Sequence, residues 1–395
     1  MKVLAVNAGS SSLKYQLFEM PEETVICSGL AERIGIDNGI FSMKINGEKY
    51  EEVLDIKDHT VAVNLVLEWF KKYDVISDLS EITGVGHRVV HGGEYFDKSV
   101  IATEDVIQRI ADLSDFAPLH NPAHILGIRG FEAALPNATP VVVFDTAFHQ
   151  TMPEESYMYA TPYEWYEDYK VRKYGMHGTS HDYVSKQAAD LIGKPYNDSK
   201  IIVCHLGNGA SLCAVKDGKS VDTSMGFTPL AGVPMGTRSG DIDPAIIPYI
   251  CEKYDMTVNE VIDALNKKSG FLGVSGVSSD GRDIDDALSK GNKRAELTVK
   301  LYGKRIADVI GSYFMTLGGC DIIAFTAGVG ENAAEIRQFI FERLGALGVK
   351  VNSELNLSTR GKLGIISEAD SKITIAVIPT NEELVIAQDV YGYIK

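Results

Sequence analysis

Short apolar runs alternate along this chain with longer amphipathic stretches. Runs at 3–6, 13–18, 140–144, 201–205, 211–215, 322–326 and 374–378 are rich in apolar residues, which predicts buried strands. Apolar positions three and four apart predict helices over 62–72, 182–191, 294–317, 333–344 and 382–391. Strands that alternate with helices point to an α/β fold. No Pro/Ser-rich or low-complexity tract interrupts the chain, so short ordered connections must join its parts.

Within this pattern lies a weak internal repeat. Val6-Asn7-Ala8-Gly9-Ser10-Ser11-Ser12-Leu13 and Leu206-Gly207-Asn208-Gly209-Ala210-Ser211-Leu212 each read as a strand, a turn of Asn, Gly and small residues, and a returning strand. Either segment alone is equally an ordinary hairpin, since Asn and Gly are the expected turn residues. Small side chains also let backbone N–H groups approach a phosphate. A third segment, Phe325-Thr326-Ala327-Gly328-Val329-Gly330-Glu331-Asn332, reads as a turn that follows a strand and opens a helix, whose N-terminus faces an anion. It carries neither a G-K-[ST] nor a G-x-G-x-x-G pattern. Two hairpins and one strand–helix turn, spread over both halves, suggest a nucleotide held between two related domains. That is the layout of the actin/Hsp70/sugar-kinase superfamily.

Length and charge sharpen the picture. A chain of 395 residues is long for one core, so two domains are expected. The net charge of −16 argues against a nucleic-acid or anionic-membrane partner, and it makes individual arginines informative about any anionic substrate. Five scattered cysteines without a C-x-x-C pair read as core residues in a reducing compartment. The apolar start turns polar at Asn7, too early for a signal sequence, and no run has membrane-spanning length; a cytoplasmic location is expected.

Three histidine pairs sit four apart: His87/His91, His120/His124 and His177/His181. Zinc binding is not expected from them. The first pair lies on a predicted strand, which holds its ends roughly 13 Å apart, while Pro122 and Gly178-Thr179 are expected to interrupt helices at the other two. Arg88, before the Gly92-Gly93 turn, and Arg238, in Met235-Gly236-Thr237-Arg238-Ser239-Gly240-Asp241-Ile242-Asp243-Pro244, are the more telling residues. Each either pairs with a nearby carboxylate, Asp241 and Asp243 being available to Arg238, or offers its guanidinium fork to carboxylate and phosphoryl oxygens. Asp145, at the end of the 140–144 strand, either points into a cleft or caps the next turn.

The motifs Asn7-Ala8-Gly9-Ser10-Ser11-Ser12-Leu13-Lys14, Gly86-His87-Arg88-Val89-Val90-His91-Gly92-Gly93-Glu94 and Phe116-Ala117-Pro118-Leu119-His120-Asn121-Pro122 resemble signatures of the acetokinase family. So do Val143-Phe144-Asp145-Thr146-Ala147-Phe148-His149, Tyr174-Gly175-Met176-His177-Gly178-Thr179-Ser180-His181 and His205-Leu206-Gly207-Asn208-Gly209. The Arg238 loop, the 328–332 turn and Pro379-Thr380-Asn381-Glu382-Glu383-Leu384 complete the set, in order, from residue 3 to about 388.

This resemblance implies two ribonuclease-H-like α/β domains with an interdomain active-site cleft. The first is expected over 1–150 with a final helix at about 384–395 returning to it, the second, nucleotide-binding and dimerising, over 151–383. The implied activity is reversible in-line phosphoryl transfer between ATP and acetate, giving ADP and acetyl phosphate, with Mg²⁺ (or Mn²⁺) as cofactor and a homodimer as the assembly. Residue by residue, it assigns Asp145, His177 and Arg238 to catalysis. Arg88 is assigned to the substrate carboxylate, and Val90, Leu119, Met176 and Pro229 to the acyl pocket. Lys14, His205, Leu206, Gly207, Asn208, Gly209, Asp280, Gly281, Arg282, Gly328, Val329, Gly330, Glu331 and Asn332 go to the nucleotide. Asn7 and a C-terminal glutamate, Glu382 or Glu383 with Glu382 favoured, go to the metal. Val90 is expected to share a strand face with Arg88, and as a branched residue to favour acetate over propionate. The rivals are a propionate or butyrate kinase of the same superfamily and a nucleotide-binding chaperone or sensor without carboxylate chemistry.

Overall fold

The computed structural model describes residues 1–118 and 120–395, which form two compact units. One comprises Met1–Phe148 with Asn381–Lys395, the other His149–Thr380.

The first unit is built on strands β1 (Lys2–Ala8), β2 (Ser12–Glu19), β3 (Thr24–Glu32), β4 (Gly39–Ile45), β5 (Glu48–Leu54), β6 (Ile82–Val89), β7 (Val100–Ile101) and β8 (Thr139–Phe144). Their order in the sheet is β5-β4-β3-β2-β1-β6-β8-β7. β1 runs antiparallel to β2 and parallel to β6, and β6 runs parallel to β8. Side chains of β1 alternate between two cores, because successive residues of a strand face opposite ways. Leu4 and Val6 pack with Val63, Val66 and Phe70 of the helix His59–Lys72, whereas Val3 and Ala5 pack with Ile386, Ala387 and Val390 of the helix Glu382–Ile394. Burial on both faces is why β1 reads as a continuous apolar run. The last helix can lie this close because β6 carries Gly84 and Gly86: a Cβ at Gly86 would stand 2.3 Å from Ile386 Cγ2, and one at Gly84 2.4 Å from Val390 Cγ1.

The second unit holds β9 (Lys200–Leu206), β10 (Ala210–Lys216), β11 (Lys219–Thr223), β12 (Ile322–Thr326), β13 (Gly364–Ile365) and β14 (Thr374–Val377), in the order β11-β10-β9-β12-β14-β13. β9 is antiparallel to β10 and parallel to β12, which is parallel to β14. The set β11-β10-β9-β12-β14 thus repeats the connectivity of β3-β2-β1-β6-β8. The weak sequence repeat is the first hairpin of each unit.

Two expectations change. The segment Gly328–Asn332 is not a turn: a helix Ala327–Asn332 begins directly after β12, and a second helix, Ala334–Phe341, follows a break at Ala333. Nor are helices interrupted at Pro122 and Gly178. Pro122 falls in the first turn of the helix Asn121–Ala134, where its missing N–H costs nothing, and Gly178 opens the helix Gly178–Leu191. His120/His124 and His177/His181 therefore come within 6.4 Å, ring centre to ring centre. Among the described residues, even so, no group of three or more His, Cys, Asp or Glu could hold a metal ion. Among the described residues no helix is long and apolar enough to cross a membrane.

Candidate active site

In the first unit the candidate residues gather where parallel strands end. Asn7 lies near the carboxyl end of β1, Arg88 near that of β6, and Asp145 directly after β8. Neighbouring parallel strands present loops and side chains to one edge, the usual place for a site in an α/β sheet. Arg88 donates from Nε to Asp145 Oδ1 at 2.8 Å and from Nη2 to Oδ2 at 2.6 Å. Asp145 is buried. Burial pulls the Arg88 pKa down, but the charges of Asp145, Glu382 and Glu383 outweigh it and hold the guanidinium firmly protonated.

The two neighbouring glutamates differ. Glu383 is tied to Lys14 by an ion pair, and Lys14 faces Asn7 across the β1–β2 ladder. Glu382 Oε1 is closed off from solvent and accepts no hydrogen bond. Burial, opposed by Arg88 and reinforced by Asp145 and Glu383, raises the Glu382 pKa. A buried carboxylate oxygen without a hydrogen-bond partner has the chemistry to accept a cation.

Val90 is buried, but β6 ends at Val89. The two-residue alternation invoked to place it on the face of Arg88 therefore does not reach it, because the chain bends there. Leu119 lies outside the described residues.

In the second unit His177 stands in a left-handed conformation (φ 61°) at the start of the helix Gly178–Leu191. That conformation is uncommon for a residue with a Cβ and persists where the surroundings impose it. The ring stacks on His205 at 4.1 Å. His205 in turn bonds Ser180 Oγ at 2.8 Å, and Ser180 reaches Thr380 Oγ1. Among the described residues Arg238 has no carboxylate partner: its Nη1 donates to the Pro229 carbonyl at 3.3 Å, and partial burial lowers its pKa. Asp241 and Asp243 instead accept from the backbone N–H groups of Gly232 and Ala245. The ion-pair alternative for this loop is thereby removed. Gly209 is where the two side chains meet: a Cβ there would sit 3.4 Å from Arg238 Nη1 and 3.5 Å from His177 Nε2. Its absence leaves a cation and an imidazole beside bare backbone.

Beside this pair opens a cavity of about 780 Å³. Of the residues expected to meet the nucleotide, Gly207, Asn208, Asp280, Gly281, Arg282, Gly328, Val329 and Asn332 line it. His205, Leu206, Gly209, Gly330 and Glu331 do not, and Leu206 is wholly in the core. Glu331 is engaged elsewhere: its Oε1 accepts from the backbone of Ala327 at 2.8 Å and of Thr380 at 3.2 Å. The anion at this short helix's start is thus the chain's own carboxylate. Met176 is buried, and its carbonyl accepts from His149 Nε2 at 3.1 Å. Pro229 serves Arg238 through its carbonyl.

The cavity wall also includes Gly236, Phe271, Ser279, Asp285, Tyr302 and Arg360. Gly236 belongs to the Arg238 loop, but no motif marks the others. Asp285 carries one legible signal, an acid on the inward side of the amphipathic helix Gly281–Ser289. Its Oδ1 is buried without a partner, and burial, then Glu335, push its carboxyl up to about 6.

The family model described as the acetokinase family matches residues 2–388. The acetate kinase of Bacillus subtilis is 57% identical over 394 residues, covering all of both chains. Among solved structures, the acetate kinase of Porphyromonas gingivalis superposes with a TM-score of 0.95 at 45% identity over the full length of both. A propionate kinase from Francisella tularensis gives 0.93 at 42%, covering 98% of each chain. With its own two-sheet plan and this full-length likeness, the chain belongs to the acetokinase family.

Proposed function

We propose that this protein is a phosphotransferase that moves a phosphoryl group reversibly between ATP and acetate. The observation that carries the reading is a pair of guanidinium groups: Arg88 fixed by Asp145, and Arg238 half-buried beside His177 with no carboxylate partner among the described residues. Charge in a phosphoryl-transfer transition state spreads over three equatorial oxygens, so catalysis is positioning plus electrostatics. Arg238 and His177 are assigned to those oxygens, and Arg88 to the acetate carboxylate. Acetate is already ionised near neutral pH, having a pKa of about 4 to 5 as carboxyl groups do. The nucleophile therefore needs no base, and Asp145, with both oxygens engaged by Arg88, is read as orienting the guanidinium.

Asn7 and Glu382 are proposed to hold Mg²⁺. An amide and a carboxylate are hard oxygen ligands, and two protein ligands leave room for phosphate oxygens and water, as Mg²⁺ prefers. When bound, the ion neutralises charge on the leaving phosphates. The cavity lined by Gly207, Asn208, Asp280, Arg282 and Val329 is assigned to the nucleotide. We further propose a homodimer formed through the second unit, whose helix Ile246–Tyr254 buries none of its residues and exposes Ile246, Tyr249 and Tyr254. A cytoplasmic setting fits five unpaired cysteines.

A hydroxamate assay with acetate, propionate and butyrate tests the reaction. Acyl phosphate should form only with ATP, a divalent metal and the acid together, and fastest with acetate. ATP hydrolysis indifferent to acetate would overturn the reading in favour of a nucleotide-binding chaperone or sensor.

A further inference from the structure

The helix Gly178–Leu191 and strand β10 bring three side chains into a line behind the proposed reaction site. Ser211 Oγ lies 2.9 Å from His177 Nδ1 and 2.7 Å from His181 Nε2. His181 and Ser211 are fully buried. Among the described residues, no other hydrogen-bond partner reaches Ser211 Oγ.

A hydroxyl has one proton to donate. If both imidazoles donated to Ser211, that proton would be stranded in the core, so one of the two nitrogens must accept. Two arrangements remain. In the first, His181 Nε2–H donates to Ser211, and Ser211 donates to His177 Nδ1. In the second, every donor is reversed. His181 Nδ1 decides between them, because it is buried with no partner. The second arrangement puts a proton on that nitrogen and orphans a buried N–H. The first leaves only an unused lone pair there, the milder defect, since buried donors without partners are rarer than under-used acceptors.

We infer that Ser211 and His181 are positioning residues that hold His177 as the neutral tautomer protonated on Nε2. The chain runs in one direction, from His181 through the serine hydroxyl to His177 Nδ1, and leaves a fixed N–H donor on the ring edge that faces Gly209 and Arg238. A ring of the opposite tautomer would present a lone pair to phosphoryl oxygens and repel them. The inference rests on the proposed assignment of His177 to those oxygens for its catalytic consequence, but the tautomer itself is independent of turnover.

Long-range ¹H–¹⁵N spectra of the full chain labelled with ¹⁵N-histidine read the tautomer directly, with His177→Gln assigning the resonance. The wild type should show His177 protonated on Nε2. Ser211→Ala should mix the two tautomers and lower kcat by about 10-fold, the order expected for one lost hydrogen bond, with little change in either KM. Ser211→Thr, which keeps the hydroxyl, should restore both. His177 protonated on Nδ1 in the wild type would overturn the inference, even if the alanine variant failed to fold, and so would an unchanged tautomer in Ser211→Ala. An Nε2–H ring in a protein that makes no acyl phosphate would uphold the relay and overturn only the proposed reaction.

Discussion

Arg88 and Asp145 meet along one edge of the guanidinium, through Nε at 2.8 Å and Nη2 at 2.6 Å. An arginine carries five N–H donors, so this pairing uses two and leaves the Nη1–Nη2 edge for a second carboxylate. The pair fixes the plane of the fork before any substrate arrives, which lowers the entropy cost of binding a small anion. Arg88→Ala should therefore raise KM for acetate as well as lower kcat. Asp145→Asn keeps the shape and removes the charge that orients the fork; it should cost about 10²-fold in kcat/KM, in line with breaking a buried ion pair. Initial rates against acetate concentration check both. If Asp145→Asn were as active as wild type, the pair would be structural.

Arg238 offers the opposite arrangement, a half-buried cation with no carboxylate partner among the described residues. Such a group costs stability and is retained for what it does to an anion. Arg238→Ala should lower kcat by about 10³-fold with smaller changes in KM, as for a group acting on transition-state charge. It should melt no lower than wild type, since no carboxylate is stranded. Near-normal turnover would return this loop to a structural role.

Val90→Ala tests the acyl pocket. The substitution removes two methyl groups from a buried side chain two residues after Arg88 and leaves the guanidinium itself unchanged. Room for one methylene is worth about 1–3 kcal/mol, or roughly 10–200-fold in relative kcat/KM. The propionate-to-acetate ratio should rise accordingly. Because β6 ends at Val89, the direction of Val90 is set by the bend rather than by strand alternation. An unchanged ratio would pass the role to Met176.

Asp285 makes a prediction about stability. Its carboxyl in the folded chain titrates near 6, against about 4 when unfolded. Between those values the folded state binds the extra proton, so stability falls as pH rises from about 4 to 6 and stays lower above. Asp285→Asn lacks this loss. Its melting temperature should match wild type near pH 4 and exceed it by about 1–3 °C at pH 7.5, allowing for solvent screening of a half-buried group. A pH-independent difference would contradict the assignment.

The alternation of apolar runs and amphipathic stretches was enough to read an α/β chain, and ordered motifs were enough to read the chemistry. These signals are local: strand burial, helix periodicity and turn composition each occupy a window of a few residues. Strands β3 to β5 were missed because polar and apolar residues mix there; β4 buries Phe41 and Met43, but β5, Glu48–Leu54, has no buried position. The helix Ala327–Asn332 was also missed, since its glycines read as a turn.

Which residues meet was a different matter. Arg88 and Asp145 are 57 residues apart, and only the neighbouring of β6 and β8 brings them together. Adjacent residues of a helix point about 100° apart, so the docking of the last helix on β1 and β6 decided that Glu382 keeps a bare oxygen while Glu383 takes Lys14. Asp285 and Arg360 carry no motif, and their surroundings come from chain segments far away in sequence. The sequence by itself determined the kind of fold and the kind of reaction, because both are written in short local patterns. Only tertiary structure decided which donor faces which acceptor, because burial and sheet register are set by the whole chain at once.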